Sequence, residues 1–208
     1  MNGRSLRYPH WWLQQIGKDN ARDDDWRRLC WSRFGRLLRR FWSSGDLHDK
    51  DAAKIAALNR GEIPIFEPGL AELVESNVRQ GRLEFAAAAF RIREADAIFI
   101  AVGTPSRRGD GHADLSFVYQ SVREIAPLLG SAAVVITKST VPVGTGDEIE
   151  NILREKRPDA HIQVVSNPEF LREGAAIQDF KHPDRIVVGS DDDRARKVLA
   201  EKSIGRSI

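Results

Sequence analysis

The chain reads as an α/β protein built on a doubly wound parallel sheet. Three observations predict it. DAIFIAVGTPS (Asp96 to Ser106), AAVVITKSTVPVGTG and HIQVVS contain continuous apolar runs, so both faces of each strand must be covered. Helical stretches of amphipathic pattern separate them, the spacing of parallel strands joined by right-handed crossovers. Each strand ends in a polar loop, and parallel strands bring their carboxyl ends to one rim, where open α/β sheets bind ligands.

Composition divides the chain. All five Trp, the only Cys and the only Met precede His48, and residues 1–47 carry nine Arg and one Lys against five Asp. That segment is net +5 within a total of +2, so the remainder is −3. No apolar run is long enough for a bilayer, and no signal-peptide pattern opens the sequence. One cysteine rules out an internal disulfide framework and a Cys-rich metal site. The expected compartment is the cytoplasm.

Arg27 to Trp42, RRLCWSRFGRLLRRFW, interleaves basic and aromatic residues. At face value it is a basic amphipathic helix of the kind that binds membrane surfaces or nucleic acid; the alternative is a disordered arm.

From Asp49 onward, Ala53 to Leu58 predict a short helix ending at Gly61. Ile63 to Pro68 is a Pro-punctuated loop. Gly69 to Gln80 is a second helix with Leu70, Leu73, Val74 and Val78 on one stripe. Arg91 to Ala95 is a short helix leading into the clearest strand. Asp114 is a candidate N-cap for a helix burying Leu115, Val118, Val122 and Ile125. Thr145 is expected to cap Gly146 to Lys156. RIVVGS (Arg185 to Ser190) is a fourth strand, followed by a helix over Asp191 to Glu201. In VVSNPEFLREG, Asn167-Pro168 stops the strand, and Pro168 suits the first position of a helical turn. On such a turn Glu169 and Glu173 would share a face, as helix caps or as acids facing a ligand.

GEIPIFEPGL, IFIAVGTPSRRGDGHADLS, VITKSTVPVGT, VSNPEFLREGAAIQDF and HPDRIVVG, in that order, resemble the UDP-glucose/GDP-mannose dehydrogenase family from about Asp49 to about Glu201. The resemblance implies an NAD-binding Rossmann domain and oxidation of a nucleotide sugar at C6 to a carboxylate with two NAD. UDP-glucose is the expected substrate, with GDP-mannose or UDP-N-acetyl sugars as alternatives. It implies that Asp49 holds the adenosine ribose, with Lys54 nearby. Val102, Gly103, Thr104 and Pro105 pass the NAD, and Ser139 and Thr140 reach the nicotinamide side. Thr140 also orients a catalytic water. Glu169, Phe170, Leu171, Arg172 and Glu173 hold the substrate. Glu169 is the acid/base in thioester hydrolysis, and Glu173 touches both NAD and the reacting centre. Neither nucleic acid nor membrane is an expected partner.

The family's opening strand and Gly-x-Gly-x-x-Gly loop are not in the sequence, and its nucleophilic Cys, catalytic Lys and Asn, second domain and dimer helix are expected elsewhere than in this chain. Trp is encoded only by TGG, so one base over every Trp codon reads as Gly. Trp26 and Trp31 have the spacing of the first and last Gly of that loop, and Asp25 to Trp31 can become Ile-Gly-Gly-Gly-Tyr-Val-Gly. The expected organisation is therefore an out-of-frame or disordered segment 1–47, a Rossmann-like domain 48–201 and an aberrant tail 202–208. On this reading the chain is an inactive fragment, and residues 1–47 cannot supply the central strand. The competing reading is a non-enzymatic α/β module with a basic membrane- or nucleic-acid-binding arm.

Overall fold

The computed structural model describes residues 10–15, 45–87, 91–107 and 111–203. Six parallel strands form one sheet in the order β3-β2-β1-β4-β5-β6. They are β1 (His10–Gln15), β2 (Gly45–Asp49), β3 (Leu83–Ala86), β4 (Ala95–Ile100), β5 (Val134–Thr137) and β6 (Gln163–Ser166). The helices are α1 (Ala52–Asn59), α2 (Leu70–Arg79), α3 (Ser116–Ile125), α4 (Thr145–Lys156), α5 (Ala176–Lys181) and α6 (Asp193–Ser203). This is the doubly wound order, with its switch point between β1 and β4.

The apolar run of β4 shows why both faces are covered. Ala97, Phe99 and Ala101 join a core with Leu47, Leu58 and Leu70, on the side of α1, α2 and α6. Ile98, Ile100 and Val102 join a second core with Val118, Ile125 and Ile149, on the side of α3 and α4. Strand side chains alternate between faces, so a strand buried twice cannot afford a polar position. Each such Phe or Ile contributes ~1.5–3 kcal/mol.

Several expectations are corrected. The slot for the central strand is filled by His10–Gln15, which pairs with β2 on one side and β4 on the other. A parallel ladder is a backbone interaction, so an extended segment of different sequence can occupy it. The shifted-frame reading draws the family's first strand, glycine loop and helix from Asp25 onward instead; Asp25 and Arg27 to Trp42 lie outside the described residues. β2 begins at Gly45, ahead of the boundary drawn at residue 48.

On α2 the fourth stripe position is not Val78, which is 44% exposed, but Asn77, at 1%. Asn77 Nδ2 donates to Leu73 O at 2.7 Å, and its Oδ1 accepts from Arg82 Nε at 2.9 Å, which is how a buried amide is tolerated. Asp114 is not the N-cap of α3, a position held by Leu115; it stands one residue earlier, its Oδ1 accepting from Ser116 N, the first residue of the helix. Thr145 is the first residue of α4 rather than its cap; its hydroxyl donates to Pro142 O at 2.7 Å. RIVVGS is no strand. It touches the sheet through one antiparallel bridge, Ser166 to Gly189. β3 is an edge strand that four residues of weak alternation did not announce.

Candidate functional site

The strand ends converge as the topology requires. Asp49 closes β2 and is buried, 4% exposed. It is not the cap of α1: Asp51 fills that role, its Oδ1 accepting from Ala53 N and Lys54 N. Asp49 Oδ1 accepts from Asp51 N at 3.0 Å. Its Oδ2 lies 2.8 Å from Lys54 Nζ yet accepts no well-aligned hydrogen bond. A buried carboxylate oxygen left so is ready for hydroxyl donors. Beside it, His48 Nδ1 donates to Ala86 O at 2.9 Å, and burial holds its pKa below the ordinary value.

The loops after β4 and β5 are tied to each other. Ser139 Oγ donates to Val102 O at 2.5 Å, Thr104 Oγ1 to Thr140 O at 3.4 Å, and Lys138 N to Ile100 O at 2.9 Å. Gly103, Thr104, Ser139 and Thr140 line a small cleft together with Lys138 and Glu169. Pro105, whose carbonyl accepts from Asp114 N, steers the chain away behind it.

The loop after β6 does not turn helical at Pro168. Asn167 N continues the ladder to Thr137 O at 2.9 Å, so the chain stays extended. Asn167 Oδ1 accepts from Lys138 Nζ at 3.0 Å, and its Nδ2 donates to Val187 O at 2.7 Å. Helix α5 starts only at Ala176. Glu169 and Glu173 therefore do not share a helical face. Glu169, Phe170, Leu171 and Arg172 line a cavity of about 360 Å³ that Lys138 and Arg185 also wall. The Arg185 guanidinium lies over the Phe170 ring, 5.6 Å from its centroid. Arg172 is engaged by Asp179, which accepts from its Nη2 at 2.6 Å and its backbone N at 2.8 Å. Glu173 is exposed and lines neither cavity.

Two residues outside the expected set occupy the site. Lys138 is 7% exposed and walls both cavities. Burial pushes its pKa down to about 8, against the pull of the Glu169 charge. Its signal was a lysine directly after the buried strand VVIT, where a solvated side chain is not expected. Asn167 is the second; in the sequence it reads only as a strand breaker.

The family model for the UDP-glucose/GDP-mannose dehydrogenase family, NAD binding domain, matches residues 47–202. The chain is 65% identical to a UDP-glucose 6-dehydrogenase of Rhizobium meliloti (strain 1021) over 156 residues, 74% of this chain and 36% of that protein. It superposes on a UDP-glucose dehydrogenase of Pyrobaculum islandicum with a TM-score of 0.79 at 30% identity, over 100% of this chain and 46% of the other. A GDP-mannose dehydrogenase from Pseudomonas aeruginosa, solved as a ternary complex, gives a TM-score of 0.78 at 27% identity, over 92% and 43%. The chain thus spans about a third of the length of the curated relatives it matches.

Proposed function

The chain belongs to the UDP-glucose/GDP-mannose dehydrogenase family through its NAD-binding domain, and from that membership we propose that it carries the cofactor-binding part of a UDP-glucose 6-dehydrogenase. One observation carries the reading. Lys138 and Glu169 form a wall common to the small cleft and the larger cavity. Hydride transfer needs a nicotinamide and a sugar carbon at such a junction.

The residues fit NAD at two of its three parts. The buried Oδ2 of Asp49 suits ribose hydroxyls, and its charge disfavours a 2′-phosphate. Lys54 orients that carboxylate. The backbone of Val102 to Pro105, with Ser139 and Thr140, forms the nicotinamide side. The pyrophosphate part lacks its usual cradle, since the sequence has no Gly-x-Gly-x-x-Gly. Bound NAD would supply the hydride acceptor. Glu169 can take or give a proton at the sugar, with Lys138 walling the same cavity. Phe170, Leu171 and Arg172 would wall the sugar-nucleotide side, and Thr140 would hold a water. Glu173 enters this proposal only if the loop rearranges around a ligand.

The substrate proposed is UDP-glucose rather than GDP-mannose or a UDP-N-acetyl sugar, supported by the name of the relative at 65% identity. Cytoplasmic location and the family's homodimer belong to the same proposal. Among the described residues no helix is long and apolar enough to cross a membrane. We propose further that residues 1–47 derive from a disrupted reading frame, which costs the cradle and leaves this chain without turnover.

Calorimetric titration of the purified 208-residue chain tests the reading. NAD should bind in preference to NADP, UDP-glucose should bind independently, and no NADH should form with both present. Preference for NADP, or no binding of UDP-glucose, refutes the assignment. NADH formation refutes the inactivity.

A further inference from the structure

Glu67 lies on the loop between α1 and α2, far from the rim in sequence, and its residue is 5% exposed. Its carboxylate reaches across the fold to the end of the substrate-side loop. Oε2 accepts from Gly174 N at 3.0 Å, and Oε1 accepts from Ala176 N at 2.8 Å, 107 and 109 residues away. Ala176 opens α5, whose N-cap, Ala175, offers no side-chain oxygen. Glu67 supplies that cap from outside. Its own carbonyl accepts from Leu70 N at 3.0 Å, opening α2. Ile177 Cδ1 lies where a Cβ on Gly69 would meet it at 3.8 Å, so the two helix starts are docked on each other.

The other end of the loop is fixed by Asn167, held at Thr137, Lys138 and Val187. Residues 168–173 are slung between these two buried polar anchors, and Glu169 to Arg172 face the cavity from that span. Burying a carboxylate is expensive unless its hydrogen bonds are well made. Here they fix the far end of the loop that the sugar nucleotide would contact.

We infer that Glu67 is a positioning residue for nucleotide-sugar binding, acting through the loop 167–174 that it anchors. The inference rests on the functional reading above. It separates the two ligands, because both amides that Glu67 holds, Gly174 N and Ala176 N, lie at the end of the loop that walls the larger cavity.

The test compares Glu67→Gln, Phe66→Ala and the unaltered 208-residue chain. Phe66 is the exposed neighbour and serves as control. UDP-glucose and NAD affinities are measured by calorimetry, and exchange of the Gly174 and Ala176 amides by NMR. Glu67→Gln keeps the shape but turns an acceptor into a donor against one of the two amides. It should weaken UDP-glucose ~10-fold and NAD less than ~2-fold, and speed exchange at both amides. Phe66→Ala should do neither. Unchanged UDP-glucose affinity in Glu67→Gln overturns the inference while leaving the function standing. So does equal weakening of both ligands, or a variant that fails to fold, since either marks a merely structural role. If the unaltered chain does not bind UDP-glucose, the functional reading falls first and takes this inference with it.

Discussion

Lys138→Met removes a buried ammonium while keeping most of its volume. Burial pulls the pKa of Lys138 from the ordinary 10.5 to about 8. Between those values the unfolded chain holds a proton that the folded chain has released, so this residue's contribution to stability rises with pH across that window. At pH 7 keeping the charge inside costs on the order of 3 kcal/mol, and by pH 10 less than about 1 kcal/mol of that remains. The unaltered chain should therefore gain about 2–3 kcal/mol relative to Lys138→Met between pH 7 and pH 10. Urea unfolding of both chains across that range measures it, provided the slopes match. Groups titrating equally in both chains cancel in the difference. At pH 7 the variant also leaves Asn167 Oδ1 without its donor, an offset of ~1–3 kcal/mol, so the absolute difference there is small. A difference that stays flat with pH refutes the placement of a charged nitrogen under the rim.

Other outcomes follow from the same geometry. Asp49→Asn keeps an acceptor for Asp51 N but loses the charge aimed at the ribose, and should weaken NAD ~10–100-fold in calorimetry with the unfolding midpoint little changed. Asp46→Ala strips Arg91 of its two-pronged partner on β2, where Nε and Nη2 donate at 3.0 and 2.6 Å. Arg91 reaches solvent and keeps Glu84, so the loss in urea unfolding should be about 2–4 kcal/mol, below that of a fully enclosed pair. The coding DNA, read one base over across Asp25 to Trp31, should spell a glycine loop; any other reading dismisses the frame proposal.

What was legible in the sequence was whatever the sheet imposes on many residues at once. The run Ala97 to Val102 has to be apolar because two cores meet on it, and that pattern survives without any knowledge of partners. What escaped depends on single long-range contacts. Pro168 is sterically suited to start a helix, but Asn167 is pulled straight by Thr137, Lys138 and Val187, none of them local. Asn77 displaces Val78 from the inner face because an amide that bonds Leu73 and Arg82 can be buried, and a hydropathy count does not see those bonds. RIVVGS looks like a strand by composition, yet only Gly189 finds an edge to pair with. The candidate site residues named from motifs, Asp49, Gly103, Ser139, Thr140 and Glu169, stand at strand ends or just beyond them. Lys138 and Glu67 are buried charges, whose significance appears only with their surroundings.

Strand β1 joins two groups of strands that are not otherwise paired, since β2 and β4 each pair with it and not with one another. It is made before either neighbour, and the second of them is complete only at Ile100. At ~5–20 residues per second that leaves it without a full berth for several seconds. The nascent chain spends that interval with one edge of its middle strand unpaired, so the winding order itself delays closure of the sheet.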